Sequence, residues 1–202
     1  MPSYSEGVSA VGSSPRAPAD LELVRAFLNT LDVEQGIDRL AEVEAWRAWA
    51  ESRDLLAAPA DRSQLERAVA LREALRGATR ANHQRQPLPD AASRALDEAA
   101  RWAGVVTTFG PTGLRVQSDG AGVPGLVGRV VAVVAAALAD GTWSRLKTCT
   151  NDRCQWAFYD HSRSRTGQWC SMGVCGNRAK QTRWRAKPEP VAPGSPAGAG
   201  DG

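Results

Sequence analysis

Histidine is nearly missing from this 202-residue chain: only His83 and His161 occur. No Ser/His/Asp or Cys/His arrangement and no glycine-rich phosphate loop stands out, so nothing points to an enzyme. Long apolar runs are missing too. The longest, Val130 to Ala139, is rich in alanine and well short of the roughly 20 residues that span a bilayer, so it reads as a buried helix segment. The N-terminus, Met1-Pro2-Ser3-Tyr4-Ser5-Glu6, has neither the basic start nor the apolar stretch of a secretory signal. The expectation is a cytoplasmic protein whose cysteines are reduced or metal-bound.

Acidic residues are scarce in one part only. Between Trp143 and Lys187 stand ten Lys/Arg and two Asp/Glu, a local charge of +8, whereas the whole chain carries +3 and the remainder is therefore mildly acidic. Such asymmetry suggests a polyanion-binding end on an acidic body. A solvated basic face is the blander reading, but this run coincides with all four cysteines.

The first 19 residues and the last 15, from Pro188, are rich in Ser, Gly, Pro and Ala and read as disordered tails. Between them the pattern predicts an α+β chain: a mainly helical domain with a β-hairpin over 20–142, then a small module over 143–187. Leu21, Val24, Phe27, Leu28 and Leu31 lie at helical spacing after Asp20, a good N-cap. Further helices are expected over Asp38 to Ala50, from Asp61 or Ser63 to Gly77 (with Ser63 and Glu66 as a capping box), after Pro89-Asp90 to Trp102, and from Pro124 to Asp140-Gly141. Val105 to Phe109, the turn Gly110-Pro111-Thr112-Gly113, and Leu114 to Gln117 read as a hairpin. An isolated hairpin is marginal in water, so this one is expected to pack on the helices.

The cysteines, Cys149, Cys154, Cys170 and Cys175, have the spacing C-x4-C-x15-C-x4-C. Two close pairs separated by such a loop suit a structural Zn²⁺ site, with four thiolates and no open position for catalysis. Two disulfides would need an oxidising compartment, and four unrelated buried cysteines would not be spaced in pairs. The first pair lies on a turn that leads to a strand near Gln155 to Asp160. The second, with Ser171 as cap, leads into a helix over Asn177 to Lys187. A hairpin and a helix sharing one zinc make a treble-clef-like finger, and so small a module should draw most of its folding energy from the metal.

On that helix Arg178 and Arg185 share one face, while Lys180, Arg183 and Lys187 share another; Arg163 and Arg165 add two donors from the preceding loop. Arginine suits bidentate contact with phosphate or guanine, so these seven are the candidate nucleic-acid contacts. Trp156, Phe158, Tyr159, Trp169 and Trp184 read first as filler for a small core, with base stacking as the second reading. His161 reads as a polar surface residue and His83 as part of a loop.

The finger resembles the CGNR zinc-finger family. Cys175-Gly176-Asn177-Arg178 carries the motif, with Trp169-Cys170-Ser171-Met172 before it and Leu146-Lys147-Thr148-Cys149 and Phe158-Tyr159-Asp160-His161-Ser162 upstream. Phe27-Leu28-Asn29-Thr30-Leu31-Asp32 and Leu71-Arg72-Glu73-Ala74-Leu75-Arg76 resemble segments of the ABATE domain that precedes such fingers. The resemblance implies a bacterial protein proposed to regulate transcription in stress responses, with the four cysteines as zinc ligands. Gly176 then suits a position without room for a Cβ, and Asn177 either caps a turn or touches a base, with the structural role as the first reading. The resulting expectation is a DNA-binding regulator, alone or as a homodimer, with sensing of an unknown small-molecule effector or dimerisation assigned to the N-terminal domain. The alternative is a zinc-stabilised protein–protein or RNA-binding module.

Overall fold

A computed structural model of the chain describes residues 14–53, 55, 58–111 and 113–185. Thr112, Lys187, residues 1–13 of the expected N-terminal tail and the whole expected C-terminal tail lie outside these. Residues 14–19, expected as tail, lie against the body: Ala17 is buried and its N–H donates to Glu22. Among the described residues are six α-helices and three two-stranded antiparallel ribbons.

Helix α1 (Leu21–Leu28) buries Val24, Phe27 and Leu28 completely. Asp20 precedes it but caps nothing, because its backbone is already helical. Strands β1 (Leu31–Asp32) and β2 (Ile37–Asp38) come next. The helix expected from Asp38 therefore starts later, as α2 (Val43–Glu51). The reason is local: the Asp38 carboxylate accepts two bonds from Arg72, at 2.6 and 2.8 Å, and the Leu40 N–H at 2.9 Å, which hold this stretch extended.

Helix α3 (Arg62–Ala81) is the central element. Its capping box is Asp61 with Gln64, not Ser63 with Glu66, because Asp61 is the last extended residue and its carboxylate reaches the Gln64 N–H. Gly77 does not end it; the helix runs to Ala81 and tightens into a 3₁₀ turn over Asn82–Gln84, which contains the supposed loop residue His83. Helix α4 (Asp90–Trp102) starts at the Pro89-Asp90 signal.

Strands β3 (Val106–Gly110) and β4 (Gly113–Gln117) pair in the expected place, with Phe109 opposite Leu114. The expectation that this hairpin packs on the helices fails over most of its length. Only Val116 is partly covered, at the base, while Phe109 is 85% and Leu114 63% exposed.

Helix α5 (Gly122–Ala139) begins two residues before the expected Pro124 and ends just short of the expected Asp140-Gly141. Its 18 residues have a mean hydropathy of 1.9, enough by length and composition to cross a membrane. Ten of them are buried, in contact with α1, α3 and α4, and Arg129 interrupts the run, so α5 is the core helix of the body.

A 3₁₀ turn (Thr142–Arg145) that buries Trp143 leads into β5 (Leu146–Thr148), which pairs with β6 (Ala157–Tyr159). The register sorts their side chains between two sides. Leu146, Thr148, Ala157 and Tyr159 share one face, and Lys147 and Phe158 the other. Leu146, Ala157 and Tyr159 belong to the large helical core; Phe158 belongs to a second cluster with the four cysteines. The ribbon is thus a wall shared by two cores. The last element among the described residues is helix α6 (Asn177–Arg185), which buries no residue.

Candidate metal centre and basic groove

The first cysteine pair sits on a turn organised by Asn151. Its carbonyl accepts the N–H groups of Cys154 at 2.8 Å and Gln155 at 3.0 Å, and its side chain accepts that of Arg153 at 3.1 Å. Gln155 closes the turn in the left-handed region (φ 52°), unfavourable for a residue with a Cβ. Helix α3 holds it there: Arg76 donates to its carbonyl at 2.8 Å, and Arg80 bonds its side chain.

The second pair flanks Ser171, whose hydroxyl accepts the Val174 N–H at 3.4 Å at the head of a π-helical turn (Met172–Gly176) that opens into α6. Asn177 donates back to the Gly173 carbonyl at 3.0 Å, a structural role. Gly176 has no positive φ; a Cβ there would instead fall 2.8 Å from the Met172 sulfur.

All four sulfurs are buried and lie within 4.8 Å of one another. Cys154 Sγ is 3.6 Å from Cys170 Sγ, which is 3.8 Å from Cys175 Sγ. A tetrahedron with Zn–S bonds of ~2.3 Å has edges of about 3.8 Å, so the donor set fits Zn²⁺ in both chemistry and size. The electrostatics agree. Thiol hydrogen bonds from Cys154 and Cys170 hold Cys149 far below the usual thiol range. Cys154 and Cys170 are pushed up by bonding to that thiolate, and Cys175 by burial and then by the same charge. Four thiolates at this separation need a cation between them. His161 stands apart, exposed, with Nε2 2.9 Å from the Arg16 carbonyl.

Helical body and finger are bolted together in part through the segments that resemble the ABATE domain. Asn29 bonds both the N–H and the carbonyl of Ala157, at 2.7 and 2.9 Å. Arg76, 3% exposed, joins the Leu28 carbonyl to that of Gln155. The Thr79 and Thr148 hydroxyls meet at 2.7 Å, Asn82 donates to Trp143 and Leu146, and His83 Nε2 lies 2.6 Å from the Thr148 carbonyl.

The candidate nucleic-acid contacts divide. Arg178, Arg183 and Arg185 line one groove of about 770 Å³ between the first knuckle and α6, opposite Arg153. Arg183 thus joins the Arg178 side, whereas Lys180 is exposed but does not line the groove. Arg163 and Arg165 are exposed on a separate loop, anchored by Lys147. The Lys147 ammonium bonds the Asp160 carboxylate at 2.8 Å and the Arg165 carbonyl at 2.7 Å, and Asp160 also accepts the Gly167 N–H. Burial would raise the Asp160 pKa, but Lys147 and the bonds from Ser162 and Gly167 outweigh it and hold the group below the carboxylate range. Of the aromatics expected as filler, Phe158 and Tyr159 are buried and Trp156 and Trp169 partly so, but Trp184 is 76% exposed among the arginines of α6.

Sequence reasoning missed three charged groove residues, Glu34, Asp152 and Arg153. Arg153 had a signal, since it is a cation on the turn between two ligand-type cysteines. Glu34 had none, since its partner lies 144 positions away.

No curated protein matches the chain significantly. Residues 145–188 match the model of the CGNR zinc finger, and residues 14–141 match the ABATE model, described as "Putative stress-induced transcription regulator". Both descriptions name a regulator or a finger and not a catalyst. The chain belongs to the ABATE family and carries a CGNR zinc finger behind the ABATE domain.

Proposed function

We propose that the chain is a zinc-dependent, DNA-binding transcription regulator of the cytoplasm, active in a stress response and without enzymatic activity. The carrying observation is α6: four cations and no acid, with no buried side chain, on a rigid mount beside the cysteine cluster. In this reading Cys149, Cys154, Cys170 and Cys175 are the zinc ligands, and the metal's contribution is structural, holding both knuckles and the start of α6 in register. Residues 143–187 form the reader, and 20–142 the sensing or dimerisation body. Arg178, Lys180, Arg183 and Arg185 contact duplex DNA, with Arg163, Arg165 and Lys187 as flanking phosphate contacts.

Binding measured on labelled duplex, single-stranded DNA and RNA tests this. The expected result is a preference for duplex that varies with sequence, and a log–log salt slope of about −4 to −5 if about five phosphates are neutralised. Equal, sequence-blind binding to all three polymers contradicts it. The exposed Trp184 favours a second reading, recognition of unpaired bases by stacking, in which single strands bind best.

A further inference from the structure

Arg178, the arginine of the Cys-Gly-Asn-Arg motif, is already engaged. Its Nη1 lies 2.7 Å from Oε1 of Glu34, on the turn between β1 and β2 of the body, 144 residues away. That turn is held firmly: Asp32 accepts the Gln35 N–H at 3.0 Å, and Asp38 is gripped by Arg72. Glu34 and Arg178 both line the groove between the first knuckle and α6. The other charged groups there are Asp152, Arg153, Arg183 and Arg185, so four guanidinium groups face two carboxylates across about 770 Å³. Arg153 and Arg185 come from opposite walls and both are exposed.

A carboxylate oxygen and a phosphate oxygen make the same charge-assisted bond to a guanidinium. The position of Glu34 therefore marks where this groove accepts an oxyanion. We propose that the groove seats the phosphate backbone of a nucleic acid, with Arg153 as a contact from the first knuckle, and that Glu34 is an internal anion the backbone must displace from Arg178. This rests on the DNA-binding reading and adds both a contact and a gate to it. Because the gate belongs to the body and the gated arginine to the finger, any partner that shifts the β1–β2 turn changes binding at α6. The pair is partly exposed (side chains 49% for Arg178 and 30% for Glu34), so the gate is shallow and salt-sensitive.

The test is fluorescence anisotropy of the full chain with a labelled mixed-sequence DNA duplex at low salt, with zinc content and far-UV circular dichroism recorded for each variant. Glu34→Gln should bind roughly threefold to fivefold more tightly, the scale of one exposed ion pair. That gain should vanish in the Arg178→Ala background and shrink at high salt. Arg153→Ala should weaken binding several-fold with zinc and helicity unchanged. If Arg178→Ala weakens binding but Glu34→Gln does not tighten it, the gate is refuted while the DNA reading stands. If Arg153→Ala binds like the parent, the groove is refuted as the backbone seat. If neither the parent nor Glu34→Gln binds the duplex while holding one zinc per chain, the DNA reading fails and the gate with it.

Discussion

The two cores of this protein are built on different physics and share one wall. The body buries a continuous set of Leu, Val, Ala, Phe and Trp from five helices, and its stability comes from removing that apolar surface from water. The finger's own cluster has only five buried residues, four of them cysteines, which is too little apolar surface to fold a module alone. Between them lies the β5–β6 ribbon, with Leu146, Ala157 and Tyr159 toward the helices and Phe158 toward the sulfurs. The finger was expected to draw most of its folding energy from the metal. Because the helical body also holds the ribbon, we propose that this contribution acts on the knuckles and α6.

The largest effect that could break this contrast is Cys170→Ser. It should abolish stoichiometric zinc and disorder the knuckles and α6, while circular dichroism retains the helices of the body. Retained zinc would refute the ligand assignment. Phe27→Ala probes the other core, where a fully buried aromatic is worth about 3–5 kcal/mol on truncation. Denaturant titration should show that loss, whereas Phe109→Ala, at the exposed hairpin tip, should lie within about 0.5 kcal/mol of the parent.

Arg76→Ala sharpens the comparison at the joint. It leaves the Leu28 and Gln155 carbonyls without their donor, at about 2–3 kcal/mol, and frees the strained Gln155 beside Cys154. It should therefore lower stability and also speed zinc loss to a chelator; a stability change with unaltered zinc release would show that the joint does not reach the metal site.

Asp38 supplies a pH signature belonging to the body alone. Burial would raise its pKa, but hydrogen bonds from Arg72 and Leu40 prevail and hold it below the ordinary 3.8. A depressed carboxylate contributes stability that is complete above its unfolded value and is lost as pH falls through its folded one. The melting-temperature gap between the parent and Asp38→Asn should thus be constant near neutrality and close below about pH 4. A gap that persists in acid would mean the ion pair is not its source.

Much of this was legible in the sequence. The cysteine spacing, the helical periodicity around Phe27 and the Pro89-Asp90 start are local signals, and local signals survive folding. The α2 start was misread because Asp38 serves a partner 34 residues on, and Asp61 displaced Ser63 as cap because an extended residue reaches N3 better. The hairpin's bare faces were illegible, since alternation reports a strand but not what covers it. The joint was half legible: Asn29, Arg72 and Arg76 stood in the segments that resembled a known domain, but only the fold shows that Asn29 and Arg76 reach the finger and that Arg72 braces the β1–β2 turn.

Hydrogen–deuterium exchange on the zinc-loaded protein, before and after chelation, tests the shared wall most directly. Chelation should expose the amides of residues 149–156 and 169–185 while those of β5, β6 and α3 stay protected. Loss of protection across β5 and β6 together with the knuckles would mean that the metal folds the entire finger, and no change anywhere would mean that no metal holds it.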